Sequence, residues 1–300
     1  MRTGYVLYNT KAGTKNNIEE LKRLENVVKE ELKFIDILTI KDYREFLSGL
    51  DADDLIILAG GDGTINCFAN NVEGIEFGNE IMYYPNGTGN DFAHDLGHEK
   101  ECDPFPITEY LKDLPMVKVK GKKYRFINNV GYGIDGYCSQ VGDELKNSSA
   151  KKINYTAIAI KGLLFYYKTT NARVTVDGKS HTYRKVWLAP TMNGRFYGGG
   201  MMPTPAQDRK DKEKTLSVMV MHGSGKLKTL MVFPSIFKGG HIKHTEMVEI
   251  LTGHEIKVEF DRPTPLQIDG ETILDVTSYT ARSATFEKAK QTEDQTAINN

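Results

Sequence analysis

A single turn, Gly60-Gly61-Asp62-Gly63-Thr64, restricts this chain more than any other segment. The run before it, Asp54-Leu55-Ile56-Ile57-Leu58-Ala59, is apolar almost without interruption, the pattern of a strand buried on both faces of a parallel sheet. Three glycines in four positions allow a sharp turn and a close backbone approach, and Thr64-Ile65-Asn66 has the character of a helix start. Strand, glycine turn and helix N-terminus together present free backbone N–H groups and the positive end of a helix dipole, which favours a phosphate. Asp62 adds a carboxylate, repulsive to phosphate unless a cation intervenes, so the turn suggests a nucleotide accompanied by Mg²⁺. Read alone, such a turn fits a plain strand-to-helix connector equally well.

The segments around it alternate. Strand patterns occur at 5–8, 34–38 and 81–84, and helical ones at 43–47 and 65–70. Asn17-Ile18-Glu19-Glu20 offers a cap for a helix with apolar positions Ile18, Leu21, Leu24, Val28 and Leu32. This order predicts a parallel sheet flanked by helices, with ligands at the carboxyl ends of its strands. Pro85-Asn86-Gly87-Thr88-Gly89-Asn90-Asp91 also follows a strand and precedes a helical stretch at 92–96, so a second glycine turn with a second Asp faces the same crevice. Beyond about Glu99 strand-like pieces dominate, at 117–120, 125–129, 173–176, 185–190, 216–221, 248–251 and 256–260. Hairpin turns are expected at Val176-Asp177-Gly178-Lys179 and Thr252-Gly253-His254, and helices at 153–167 and 226–237. The expected division is an α/β domain over 1–115 and a β-rich domain over 116–300, whose last residues are free to return to the first and whose tail frays from Lys288.

With 300 residues, 39% of them hydrophobic and 26% charged, two domains with real cores are expected. A net charge of −1 argues against nucleic acid as partner. The first strand is too short for the apolar region of a signal peptide, and no run reaches the roughly 18 apolar residues of a membrane span. Cys67, Cys102 and Cys138 are odd in number and widely spaced, which fits a reducing cytoplasm and neither a disulfide framework nor a zinc site.

Five stretches carry a resemblance: Gly60-Gly61-Asp62-Gly63-Thr64, the loop Pro85 to Asp91 continuing into Phe92-Ala93, Asn128-Asn129-Val130-Gly131-Tyr132-Gly133-Ile134-Asp135, Asn193-Gly194-Arg195-Phe196-Tyr197-Gly198-Gly199-Gly200, and Gln267-Ile268-Asp269-Gly270-Glu271. In that order, over almost the whole chain, they resemble the successive motifs of the diacylglycerol kinase catalytic-domain family, especially its soluble bacterial lipid kinases. The first motif is shared with NAD kinases and phosphofructokinases; the set is specific. The resemblance implies an N-terminal α/β domain of NAD-kinase/phosphofructokinase type, a C-terminal β-sandwich domain, and ATP in a cleft between them. It implies that Gly60, Gly61, Asp62, Gly63 and Thr64, with Gly87, Thr88 and Asn90, hold the nucleotide phosphates. Asn9, in Asn9-Thr10-Lys11-Ala12-Gly13, belongs to a further nucleotide loop. Asp269 becomes the general base for a lipid hydroxyl, with Glu271 beside it, and Asp62, Asp91 and Asp135 an acidic set supporting Mg²⁺. Phosphoryl transfer demands such parts, since the protein chiefly aligns the nucleophile and neutralises charge on the γ-phosphate.

Simpler readings stand beside these. Asp269-Gly270 fits a hairpin turn, Asp135 a solvated loop residue, Asp91 a helix-capping carboxylate and the Tyr197 glycine run a flexible connector. Thr10, Cys67 and His94 depart from the family pattern. The charged stretch 206–214 replaces a shorter Asp-Gly loop linked to a structural metal, which is not carried over. The implied partners are ATP and a lipid substrate at a membrane surface, diacylglycerol first, a sphingosine-like or polyprenol lipid second. An NAD kinase and a catalytically silent nucleotide-binding protein are the more distant readings, and a homodimer is compatible with all of them. Peripheral membrane association is expected from Lys118, Lys120, Lys122, Lys123 and Arg125, and from Lys146, Lys151, Lys152 and Lys161 around the 153–167 segment.

Overall fold

The apolar run at 55–59 becomes the central strand of a five-stranded sheet. In the computed structural model, which describes residues 2–10, 21–148, 158, 161–162, 166–287 and 289, the chain forms two units, Met1–Asp113 and Leu114–Asn300. The first contains β1 (Thr3–Tyr8), β2 (Glu31–Asp36), α1 (Tyr43–Ser48), β3 (Leu55–Gly60), α2 (Asp62–Asn71), β4 (Glu80–Pro85), α3 (Asp91–Asp95), β5 (Phe105–Pro106) and α4 (Thr108–Lys112). Its sheet has the order β2-β1-β3-β4-β5, parallel except for the two-residue β5 at the edge. All six residues of β3 are buried, as a strand covered on both faces requires. On one face Val6, Leu55, Ile57, Ala59 and Tyr84 pack with Leu21 and Leu24.

Leu32 was expected on a helix but lies in β2, because the six residues of β1 pair with Glu31 through Asp36 and draw the strand start forward from residue 34. Asp36 then ends the strand by accepting the Leu38 N–H at 3.1 Å, opening a 3-10 turn at Ile37–Thr39. The Asn17 cap, Ile18, Lys11, Lys151, Lys152, most of the 153–167 helix, and the tail at 288 and 290–300 lie outside the described residues.

The second unit comprises β6 (Met116–Val119), β7 (Lys122–Arg125), β8 (Asn129–Tyr132), α5 (Ile134–Ser148), β9 (Thr170–Val176), β10 (Lys179–Val186), β11 (Thr191–Met192), β12 (Leu216–Met221), α6 (Lys226–Val232), β13 (Val248–Gly253), β14 (Glu255–Ile268) and β15 (Glu271–Arg282). The strand expected at 125–129 is two strands, β7 in a hairpin with β6 and β8 in the middle of the sheet. That expected at 185–190 ends at Val186. The sequence reading missed α5 and β15. Asp177-Gly178 is a hairpin turn, whereas 252–254 is a corner, since β13 pairs with β12 and β14 pairs elsewhere. The Asp177 carboxylate fixes that corner by accepting the N–H groups of His254 and Glu255 at 2.9 and 2.8 Å.

Ten strands form one hydrogen-bonded network. β14 pairs with β9 over 256–260 and with β8 over 266–268, and its register with β15 breaks between Glu259 and Thr264. A strand that changes neighbours at such a break turns the corner of a sandwich. The core beneath draws Val130, Tyr132, Val174, Val218, Val258, Leu266 and Tyr279 from five strands. Among the described residues no helix is long and apolar enough to cross a membrane.

Candidate active site

The strand order of the first unit sends the chain from β1 outward to β2 and then back across to β3. Doubly wound sheets bind ligands at such a reversal, outside the carboxyl ends of the strands. Asn9 follows β1 there, Gly60-Gly61 closes β3 and the Gly87 loop follows β4. The two glycine loops touch. A Cβ on Gly87 would lie 2.3 Å from the Gly61 Cα and 2.8 Å from its N, a contact with backbone that cannot yield. The Asn86 N–H donates to the Gly60 carbonyl at 2.9 Å, and the Tyr83 hydroxyl donates to the same oxygen at 3.1 Å.

Asn90 is the clasp of the second loop. In left-handed backbone, φ 50°, its side-chain oxygen accepts the Gly87 N–H at 2.9 Å and its amide donates to the Gly87 carbonyl at 3.0 Å. Asp62 joins the loops from the other side: its two carboxylate oxygens accept the N–H groups of Asp91 and Phe92, each at 2.9 Å. That carboxylate caps α3, satisfying donors a helix start leaves orphaned. Asp91, expected as cap or metal ligand, is the buried first residue of that helix. α2 starts after Gly61 with no side-chain cap, Gly63 and Thr88 are exposed, and Thr64 is buried. The turn therefore offers backbone donors at an open helix start, as the sequence suggested.

In the second unit Asp269 and Gly270, at φ 45° and 97°, form the two-residue turn between β14 and β15, with Ile268 paired to Glu271. The Asp269 carboxylate points back at the chain entering β8. It accepts N–H groups from Ile127 at 2.5 Å, Asn128 at 2.8 Å and Asn129 at 3.0 Å. The Ile127 carbonyl is held by Asn193 and by the buried Arg209, which also donates to the Asn128 side chain at 2.8 Å. The Gln267 side chain accepts the Gly270 N–H at 2.7 Å. Glu271 is exposed at the first position of β15. Hairpin and candidate base are thus one object.

Asp135, in the first turn of α5, is buried rather than solvated. One oxygen accepts the Tyr197 hydroxyl at 2.7 Å and the other, Oδ2, has no partner among the described residues. Burial pushes its carboxyl up to about 7, against the Tyr197 hydrogen bond, which lowers it. Tyr197 and Met201 exchange both backbone hydrogen bonds across Gly198-Gly199-Gly200, all at positive φ, so this run is a closed loop anchored by a buried tyrosine. Asp62 and Asp91 stand in one unit and Asp135 in the other. Among the described residues no group of three or more His, Cys, Asp and Glu is placed to hold a metal ion, so the expected three-acid set is not a preformed cage within either unit. Tyr83, Arg209 and Gln267 were given no role from sequence. Gln267 and Tyr197 lay inside quoted motifs, whereas nothing marked Arg209 as buried among its charged neighbours.

Residues 3–116 match the family model described as the diacylglycerol kinase catalytic domain, and residues 128–283 that of the YegS C-terminal NAD kinase beta sandwich-like domain. A Bacillus subtilis (strain 168) protein named "Putative lipid kinase YtlR" is 24% identical over 249 residues, 76% of this chain and 77% of the relative. A "Diacylglycerol kinase" of Mycobacterium tuberculosis is 24% identical over 201 residues, 65% of this chain and 63% of the relative. The fold is shared with a crystal structure described as "a putative diacylglycerol kinase" from Bacillus anthracis str. Sterne, with TM-score 0.66, 21% identity, and coverage of 94% of this chain and 92% of that one.

Proposed function

This chain belongs to the diacylglycerol kinase catalytic-domain family, with a YegS-type C-terminal domain, and from that premise we propose that it is an ATP-dependent lipid kinase converting diacylglycerol to phosphatidic acid. The observation that carries the reading is the contact of the two glycine loops at the carboxyl edge of β3 and β4 beside the uncapped start of α2. Backbone amides gathered at one edge, without side chains between them, suit the phosphates of a nucleotide. Gly60, Gly61, Gly63, Thr64, Gly87 and Thr88 would lie against the phosphates, with Asn90 and Asp62 fixing the loops and Asn9 at the neighbouring strand end. Mg²⁺ enters as MgATP. It needs only one or two carboxylates besides phosphate and water, so a preformed cage of acids is not required. Asp62, Asp91 and Asp135 are the acids proposed to meet it, and Asp135 Oδ2 is the one with an unused buried oxygen.

Asp269 is the proposed base. Three backbone N–H groups fix its carboxylate in place, and a carboxylate held within hydrogen-bond reach of a substrate hydroxyl can take its proton. The lipid oxygen loses its proton to Asp269 and attacks the γ-phosphorus as the bond to ADP breaks. Glu271 is proposed to support this end of the site.

The test is transfer of labelled phosphate from MgATP to a panel of diacylglycerol, sphingosine, polyprenol and NAD. Labelling of diacylglycerol is expected; labelling of NAD alone overturns the lipid reading. Asp269→Asn should lower turnover by at least about a hundredfold while ATP affinity holds, the scale of a general base. Because Asp269 also anchors residues 127–129, near-UV circular dichroism of the variant must match the wild type for the loss to count.

A further inference from the structure

Residues 226–243 present a surface that the fold leaves uncovered. α6 buries Thr229 and Val232, and a 3-10 helix at Phe233–Lys238 continues it by burying Phe233 and Ile236. The opposite side holds Leu227 and Met231, one turn apart and each 74% exposed, with Pro234 and Lys238 following at helical spacing. Ile242 is 43% exposed in the next 3-10 turn, Gly240–Lys243. Single exposed apolar residues are ordinary, whereas these two are aligned one turn apart and both largely open.

Charge identifies the partner. From His222 to Thr245 the chain carries Lys226, Lys228, Lys238 and Lys243 and no Asp or Glu, although the chain has 40 acids in 300 residues. Lys228 pairs with Glu246 at 2.7 Å; Lys238 and Lys243 pair with no acid among the described residues. The β6–β7 hairpin is also basic, with Lys118, Lys120, Lys122 and Lys123 exposed. It ends the sheet, where lysines keep edges from pairing, and has no exposed large apolar side chain. The 226–243 face joins two strongly exposed aliphatic side chains, one helical turn apart, to an acid-free basic frame.

The geometry points to this face as the one that docks on an anionic lipid bilayer, with Leu227 and Met231 entering the headgroup boundary and Lys238 and Lys243 over anionic headgroups. The choice of a bilayer rests on the lipid-kinase reading, and the surface itself on exposure and charge. Long lysine stems keep their ammonium groups in the headgroup layer while the helix face sinks.

The test is flotation of the full chain with phosphatidylcholine vesicles, with or without phosphatidylglycerol. Wild type should bind the anionic vesicles and lose binding as salt rises. Lys238→Gln should lower the partition coefficient about fivefold, the equivalent of one cation at an anionic surface. Leu227→Glu with Met231→Glu should lower it more than tenfold, and its thermal melt should match wild type because both side chains are exposed. Unchanged binding of this double variant overturns the proposal. So does a wild-type dimer, seen by sedimentation, that the double variant dissolves while vesicle binding persists; the face then joins two copies. Kinase assays separate the two readings. The double variant should phosphorylate monomeric short-chain diacylglycerol normally and vesicle-embedded diacylglycerol poorly. Vesicle binding through this face without phosphorylation of either lipid leaves the docking standing and removes the kinase assignment.

Discussion

Asp135 is the residue whose chemistry departs furthest from its appearance in sequence. There it carries two readings, a metal-supporting acid and a solvated loop carboxylate; in the structure it is enclosed, with one oxygen on Tyr197 and the other unpartnered among the described residues. Its carboxyl moves from 3.8 to about 7, so the folded chain holds a proton there that the unfolded chain releases. Stability from this group is therefore full below about pH 4, falls as pH rises toward 7, and is level above it. Asp135→Asn should stabilise the nucleotide-free protein by up to about 4 kcal/mol at pH 8 and by little at pH 4, read from urea unfolding at the two values. A gap that does not grow between them would show a solvated, ionised Asp135. Tyr197→Phe should widen the window upward, because the bond that favours the charged form is lost.

Among the elements that hold candidate site residues, α3 is fixed by the Asp62 carboxylate from another loop, and the β14–β15 hairpin is tied to residues 127–129 by its own Asp269 carboxylate. Asp62→Ala removes two capping bonds from α3 and should cost about 1–2 kcal/mol without any nucleotide or metal, measured by thermal unfolding of the apo protein. No loss in the apo state, with loss only when MgATP is present, would assign Asp62 to the metal alone. Gly270→Ala, at φ 97°, should cost about 1–2 kcal/mol and loosen residues 127–129 through Asp269, visible as faster amide exchange there. These couplings explain what was legible beforehand. Glycine turns and buried strands announce themselves locally, so β3, β4 and the Gly61 and Gly87 loops were readable from the sequence. β15 was not: its burial pattern is irregular and its first half holds a single buried residue, so periodicity had little to show. Asp62 as a cap 29 residues away, and Asp269 as an anchor 140 residues away, depend on contacts no spacing rule reports.

At the scale of the molecule, each unit keeps its own constraint. In the first it is the Gly61–Gly87 contact. Gly87→Ala should cost about 1–3 kcal/mol and reduce ATP affinity, checked by unfolding and by nucleotide titration. In the second it is β14, the strand that belongs to both layers of the sandwich. A sandwich whose layers meet only through side chains can be peeled; one stitched by a continuous main chain has no seam. Amides of β8 and β9, at the two ends of that strand, should then exchange with solvent at similar free energies. On that count the second unit is expected to open as one cooperative body.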